Sequence, residues 1–337
     1  MAATAEDTDE IGYSFNTGGL NNQLLALLGL FYRAYDGRKA VVLPMMTVKD
    51  HVLNQARRIS FGEVFDTDDI KRLAKAYGLS VLVKDSLYFD TIQEGRQKNG
   101  WTCFDSGAAR MSEMARGTIT NPQTRDFIFD FFEHLTPLIR YSHAALALKD
   151  RVQEMVDVVA QFRIETDWKK HSDAMKAKQT KPEDIYLPPN EIVRKILNTL
   201  PATKVILVTS DEAAMPWTKQ QIAADAQAEF GVRLLWKSDI LTATELASFN
   251  NLELSLIDLE LAMASRCFVG LTRSTFANMV TFRKFARSRD MVKTDYFYNT
   301  ATAFLGQRHD NGGWDHPHLA EAPWEHPHYG WPRPAGA

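Results

Sequence analysis

Cysteine is nearly absent from this sequence: Cys103 and Cys267 are the only two in 337 residues, and they lie far apart. Two lone thiols make neither a disulfide framework nor a zinc ligand set, and they suit a reducing compartment. Basic residues are not in excess either, with 39 Lys and Arg against 42 Asp and Glu for a net charge of −3. No dense cationic stripe marks a nucleic-acid face. The lysines from Lys169 to Lys181 are spread out among acids and read as a solvated linker. Long apolar runs are missing as well. No stretch approaches the roughly 20 residues needed to span a bilayer. The opening residues, Met1 to Asp7, carry neither the basic nor the apolar region of a signal peptide. The expectation is a cytoplasmic protein with no membrane span and no nucleic-acid partner; its oligomeric state is not legible.

What is present is an ordinary globular composition, 45% hydrophobic and 24% charged. Single cores tend to split beyond roughly 250–300 residues, so two domains are expected. In the first half, apolar Ile11 to Phe15 leads through Asn16-Thr17-Gly18-Gly19 into a helical run, Leu20 to Tyr35. Lys39 to Leu43 reads as a strand stopped by Pro44. Asp66 to Asp69 open a helix that Gly78 closes, and Leu79 to Val83 form the next strand. Thr124 to Met155 has a helical pattern rich in aromatics.

The second half is more regular. Strands are expected at Val156 to Phe162, Lys204 to Val208, Val232 to Trp236 and Cys267 to Gly270. Helices are expected at Trp217 to Phe230, Leu252 to Ala264 and Ser274 to Phe285. Nearly continuous apolar strands between helices indicate parallel sheets covered on both faces. The expected class is therefore α/β, as two Rossmann-like domains, with ligands beyond the carboxyl ends of the strands. The boundaries are set at residues 1–150 and 151–305, with a Pro/Trp/His-rich tail at 306–337.

Four segments place polar residues where such a ligand would sit. Gly18-Gly19-Leu20-Asn21-Asn22-Gln23 combines glycines that permit close backbone approach with a helix N-terminus that can receive an anion; an ordinary turn is the alternative. Arg163 ends an apolar strand, where its guanidinium can grip a phosphate or pair with Glu165 or Asp167 instead. Asp211, in Thr209-Ser210-Asp211-Glu212, reads first as a helix cap. Leu271-Thr272-Arg273-Ser274-Thr275-Phe276 brings two hydroxyls to a helix N-terminus, a seat for a diphosphate; simple serine capping is the alternative and accounts for one hydroxyl. Asp258 falls on the apolar face of its helix, where a carboxylate must find donors. Guanine offers two N–H donors on one edge and uracil one; a neighbouring backbone amide is the plain alternative.

Taken in order, Phe162-Arg163-Ile164-Glu165-Thr166-Asp167-Trp168, Thr209-Ser210-Asp211, Ile257-Asp258-Leu259 and Phe268-Val269-Gly270 followed by Ser274-Thr275-Phe276 resemble the GDP-fucose protein O-fucosyltransferases and their wider superfamily. Gly18 to Gln23 is similar to that family's Gly-x-x-x-Asn-Gln segment. The resemblance runs from about residue 15 to 285, with little from 45 to 150. It implies a GT-B fold, two Rossmann-like domains facing a central cleft, with the N-terminal domain on the acceptor side and the C-terminal one binding the nucleotide sugar. It also implies a metal-independent, inverting transfer of fucose from GDP-fucose to a hydroxyl of a glycan or protein, with no cofactor.

By this resemblance Arg163 holds the β-phosphate and Ser274, Thr275 and Phe276 form the diphosphate turn. Asp258 contacts the guanine, Asp167 matches an acid four residues after the arginine, and Asn22 lies near the reacting centre. The binding set is completed by Gly18, Gly19, Asn21 and Asp211. Gln161 departs from the family, which often has His there. No residue is an evident general base; Glu165 or Asp167 acting through water, or late loss of the proton to solvent, is considered. Alternatives are another donor on the same fold, GDP-mannose or a UDP-sugar, and a binding protein without turnover. A nicotinamide-dependent oxidoreductase would want a third glycine and an acid after the second strand, where Gln23 and Pro44 stand. The Asp-x-Asp pairs at Asp7/Asp9 and Asp66/Asp68 are read as a polar terminus and a helix cap. In Trp314-Asp-His-Pro-His318 and Trp324-Glu-His-Pro-His328 a proline splits each histidine pair, which makes a poor zinc cage. The tail reads as a surface strap.

Overall fold

The computed structural model describes residues 10–50, 55–85, 88–89, 94–176 and 185–313. The Asp7/Asp9 pair and both tail His-Pro-His repeats lie outside them. The described residues fall into two units, 10–48 with 57–136, and 137–313 with the short excursion around Lys49 and Ala56.

The first unit is built on a parallel sheet of β1 (Glu10–Ile11), β2 (Ala40–Val42) and β5 (Val81–Leu82), in the order β1-β2-β5. The strand expected from Ile11 to Phe15 stops at Ile11, because Ser14 and Asn16 turn inward as buried polar residues of a loop. Helix α1 (Leu20–Gly37) follows. β3 (Met46–Asp50) and β4 (Gln55–Ile59) form a separate two-stranded sheet. Asp66 caps α2 (Thr67–Ala76), accepting from the amides of Asp68 and Asp69, so the second Asp-x-Asp is a helix start. The helical stretch expected from Thr124 to Met155 is two helices, α4 (Pro122–His134) and α5 (His143–Met155), with a 3-10 turn at Leu138–Tyr141. Pro137 explains the break, since it disfavours helical backbone at the residue before it.

Helix α3 (Glu94–Ala115) packs directly on α1 through glycines. A Cβ on Gly29 would come within 1.8 Å of the Cys103 carbonyl oxygen, and one on Gly107 within 1.9 Å of the Leu25 oxygen. Helix propensity alone would make Gly107→Ala stabilising by about 1 kcal/mol. The clash is with rigid backbone and wins: Gly107→Ala should destabilise by about 2 kcal/mol and Gly107→Val by more. A urea midpoint equal to or above that of the parent protein for Gly107→Ala would contradict this packing.

The second unit carries a six-stranded sheet: β6 (Val158–Gln161), β7 (Val205–Thr209), β8 (Arg233–Leu235), β9 (Phe268–Gly270), β10 (Asp295–Phe297) and β11 (Gly306–Gln307). The spatial order is β8-β7-β6-β9-β10-β11, parallel throughout except for β11. All four residues of β6 are buried, as a strand covered on both faces requires. The connecting helices are α6 (Thr166–Lys176), α7 (Pro189–Thr199), α8 (Lys219–Phe230), the short α9 (Lys237–Ile240) and α10 (Ala243–Ser248), α11 (Asn251–Ala264) and α12 (Thr275–Ser288). The lysines at 169 and 170 belong to α6 and are not part of a linker; Lys169 pairs with Asp173 one turn on. Among the described residues no helix is long and apolar enough to cross a membrane.

Strand order reverses at β6. From there the chain steps outward to β7 and β8, then returns to the other side through β9 and β10. In a doubly wound sheet this reversal opens a crevice beyond the carboxyl ends of the two central strands. Here those ends are Gln161 and Gly270.

Candidate active site

The loops leaving β6 and β9 flank that crevice. After β6, Phe162 and Ile164 are fully buried and anchor the loop in the core, which leaves Arg163 between them pointing outward and only partly buried. Its Nη1 donates to Glu165 Oε2 at 2.6 Å and its Nη2 to Asp167 Oδ2 at 3.2 Å. The guanidinium lies over the Trp168 ring at 5.1 Å. The loop is fixed from behind by the Arg163 amide, which donates to the Tyr298 hydroxyl at 3.2 Å. Burial pulls the Arg163 value down, but Glu165 and Asp167 more than reverse this and hold it above the usual arginine range. The salt-bridge alternative read from the sequence is thus present with both acids, on a cation that is permanently charged.

Glu165 is buried, and its second oxygen accepts from the Asp211 amide at 3.2 Å. Asp167 is largely exposed, in the first turn of α6. Asp211 caps the short 3-10 turn at Glu212–Ala214 through the Ala213 amide, as the plain reading had it.

After β9, Ser274 takes the N-cap position of α12 with extended backbone, yet its hydroxyl caps no helix amide. It accepts instead from Gln161 Nε2 at 2.9 Å, tying the ends of β6 and β9 together. Thr275 and Phe276 form the first turn of α12, both partly buried, and the Phe276 ring tilts against Phe268 at 6.3 Å. Thr272 and Asn299 brace the turn through two mutual hydrogen bonds. The first-turn amides of α12 are left to meet a ligand, as a diphosphate seat requires.

Asp258 occupies the buried face of α11, where the periodicity placed it. Its partner is Lys237, one residue beyond Trp236 at the carboxyl end of β8. Lys237 Nζ donates to Asp258 Oδ2 at 2.7 Å and to the Ser210 carbonyl oxygen at 3.2 Å. The partner is neither the nucleobase nor the backbone amide that the sequence suggests; the signal for Lys237 is its place just past the carboxyl end of β8, where the other site residues stand on their own strands. Burial pushes the Asp258 carboxyl up to about 6, with Lys237 only partly offsetting it and Glu212 and Asp211 adding to the rise. Burial likewise pulls Lys237 down, but the Asp258 charge outweighs it and the ammonium is held above its ordinary value.

In the first unit, Gly18 is required by contact, since a Cβ there would come within 2.5 Å of the Asn22 Cβ. Gly19, the N-cap of α1, faces open space. Gln23 is structural. It spans Gly18 and Thr47 with three hydrogen bonds of 3.1, 3.0 and 2.8 Å. The side-chain oxygens of Asn21 and Asn22 are buried without a hydrogen-bond partner. Gly18 to Asn22 thus stand in one unit, and Arg163, Asp211, Asp258 and Ser274 to Phe276 in the other.

No family model matches this chain, and no curated protein does. Solved structures do. POFUT1 in complex with GDP-fucose aligns with a TM-score of 0.54 at 13% identity, covering 86% of this chain and 98% of that one. POFUT1 in complex with GDP aligns with a TM-score of 0.53 at 14% identity, over 86% of this chain and 98% of that one. The resemblance read from the sequence therefore holds at the level of fold: this chain has the GT-B fold of the fucosyltransferases.

Proposed function

We propose that this protein is a glycosyltransferase that moves fucose from GDP-fucose to a hydroxyl of a glycan or protein, with inversion and without a metal. The observation that carries the reading is the strand-order reversal of the second unit, flanked by Arg163 on one side and the Ser274 turn of α12 on the other. Sugar transfer needs a leaving diphosphate stabilised as its charge grows. A fixed guanidinium, a hydroxyl and free helix amides supply positive potential there. The fold shared with POFUT1, described in complex with GDP-fucose, supports the same donor. Both cysteines are free thiols, which supports action in a reducing compartment such as the cytoplasm.

Within this reading Glu165, engaged through both oxygens, holds Arg163 in place. Asp167 is engaged through both oxygens as well, by Arg163 and the Trp168 amide, and steadies the same guanidinium; the acceptor's proton is lost to solvent late in the transfer. Asp258, ionised, accepts from the N–H groups of guanine.

Binding separates this from its rivals. A panel of GDP, UDP, GDP-fucose, GDP-mannose and NAD, with and without EDTA, is read by thermal shift. A ligand at 100 times its Kd stabilises the fold by about 2.7 kcal/mol. GDP and GDP-fucose should respond, unaffected by EDTA; a response to UDP or NAD alone would sink the assignment.

Asp258 adds a pH dependence. Because its carboxyl titrates near 6, affinity for GDP-fucose should fall as pH drops through that value, by up to about tenfold per unit below it. GDP-fucose is the right probe, since its esterified diphosphate does not titrate in this range. Asp258→Asn should flatten the profile. A profile unchanged by that substitution would remove Asp258 from base recognition.

A further inference from the structure

Gln161 closes β6 at the reversal of strand order and is 7% exposed. Its Nε2 is used, donating to Ser274 Oγ at 2.9 Å. Its Oε1 is buried with no hydrogen-bond partner. A buried acceptor left unmet costs free energy, and such atoms in native proteins need an explanation. The second half of the pattern is Ser274 itself. It receives a hydrogen bond from Gln161, so its own proton points elsewhere, and among the described residues no acceptor takes it. A hydroxyl proton and an amide oxygen thus stand side by side at the start of α12, one able to donate and the other able to accept.

The chemistry that satisfies both at once is an anionic oxygen next to a hydroxyl group. The helix amides and Ser274 claim the anionic oxygen. Gln161 Oε1 needs an O–H or N–H, which the esterified diphosphate of a sugar nucleotide cannot provide. In a sugar nucleotide the neighbour of the diphosphate on its reacting side is the glycosyl ring with its hydroxyls. The nucleobase lies at the other end, where the Lys237–Asp258 pair meets the β7 end at Ser210. We infer that Gln161 is a specificity-determining residue whose Oε1 accepts a hydrogen bond from a hydroxyl of the transferred sugar, while its Nε2 orients the Ser274 hydroxyl toward the diphosphate. This rests on the glycosyltransferase reading above. It adds that the site distinguishes the loaded donor from the spent nucleoside diphosphate, which has no glycosyl hydroxyl to offer.

The test is the ratio of Kd values for GDP and GDP-fucose, measured by calorimetry on the full chain. Gln161→Ala and the near-isosteric Gln161→Met remove Oε1; Ser274→Ala removes the neighbouring hydroxyl. Both Gln161 variants should lower the preference for GDP-fucose over GDP by about tenfold, the size expected for meeting a buried acceptor. Ser274→Ala should weaken both ligands and leave their ratio unchanged. Donor analogues with single sugar hydroxyls replaced by hydrogen complete a double-mutant cycle. For one of them the Gln161 substitution should cost nothing further. An unchanged ratio in Gln161→Met, with GDP and GDP-fucose weakened alike, would overturn the inference and leave Gln161 as an orienter of Ser274. Failure of the parent protein to bind either ligand would instead remove the glycosyltransferase reading on which the inference depends.

Discussion

Arg163→Ala is expected to lower kcat/KM for transfer from GDP-fucose by about 100-fold or more, the usual consequence of removing one preorganised donor to developing charge. The substitution also leaves buried Glu165 without its cation, although the Asp211 amide still reaches the other oxygen. A stability loss of about 1–3 kcal/mol is therefore expected alongside the kinetic one. The two effects separate in Arg163→Ala/Glu165→Gln. A neutral amide has no need of the guanidinium, so the thermal midpoint should recover most of the loss while turnover stays low. Arg163→Lys should sit between, because an ammonium keeps the charge and loses the two-pronged contact. If Arg163→Ala keeps a tenth or more of parental kcat/KM while folded, the guanidinium is not the group that receives the leaving charge.

Arg163 also shows how far the sequence could be read. An arginine directly after an apolar strand predicts its place at a strand end, and the alternating apolar runs of the second half predict β6, β7, β8 and β9 to within two residues at each end. Those strands are buried on both faces, so their signal is local and strong. The strands of the first unit's parallel sheet are two or three residues long, and its packing is written in glycines such as Gly29 and Gly107. A glycine in a helical run looks like a defect until the partner helix is known. This is why α3 is not legible, and why the aromatic stretch from Thr124 to Met155 shows helices without showing where α4 ends. The strands β10 and β11 were unread too, since they follow a polar stretch and hold only three and two residues.

The site divides the same way. Asp258 was legible as a misfit, a charge on an apolar face, but a misfit does not name its partner. Lys237 lies 21 positions away, and only the fold brings the two to 2.7 Å. Gln161 was legible as a departure from the family's histidine. Its bond to Ser274 crosses 113 positions and depends on β9 returning beside β6. Ser274, placed by the sequence at a helix N-terminus as part of a diphosphate seat, with simple capping as the alternative, occupies the N-cap position. Its hydroxyl makes no capping hydrogen bond and accepts from Gln161 instead.

Lys237→Met is expected to destabilise the second unit by about 3–5 kcal/mol, because it strands a buried carboxylate. A thermal midpoint lower by something on the order of 10 °C would follow. The pH dependence identifies the cause. In the folded protein Asp258 titrates near 6, above an ordinary aspartate, so the native state holds its proton more tightly than the unfolded chain. Its stabilising contribution is therefore fully present below the unfolded value near 3.8 and is lost as pH rises through about 6. Without the Lys237 ammonium the folded value moves higher still, since the charge that opposed burial is gone and Glu212 and Asp211 remain. The deficit of Lys237→Met should accordingly be larger at pH 8 than at pH 5. Lys237→Met/Asp258→Asn, with no charge left to strand, should regain most of the stability and lose this pH dependence. A deficit equal at both pH values, and unrelieved by the second substitution, would mean that Lys237 matters for its packing and its bond to Ser210, and that Asp258 is held by something else.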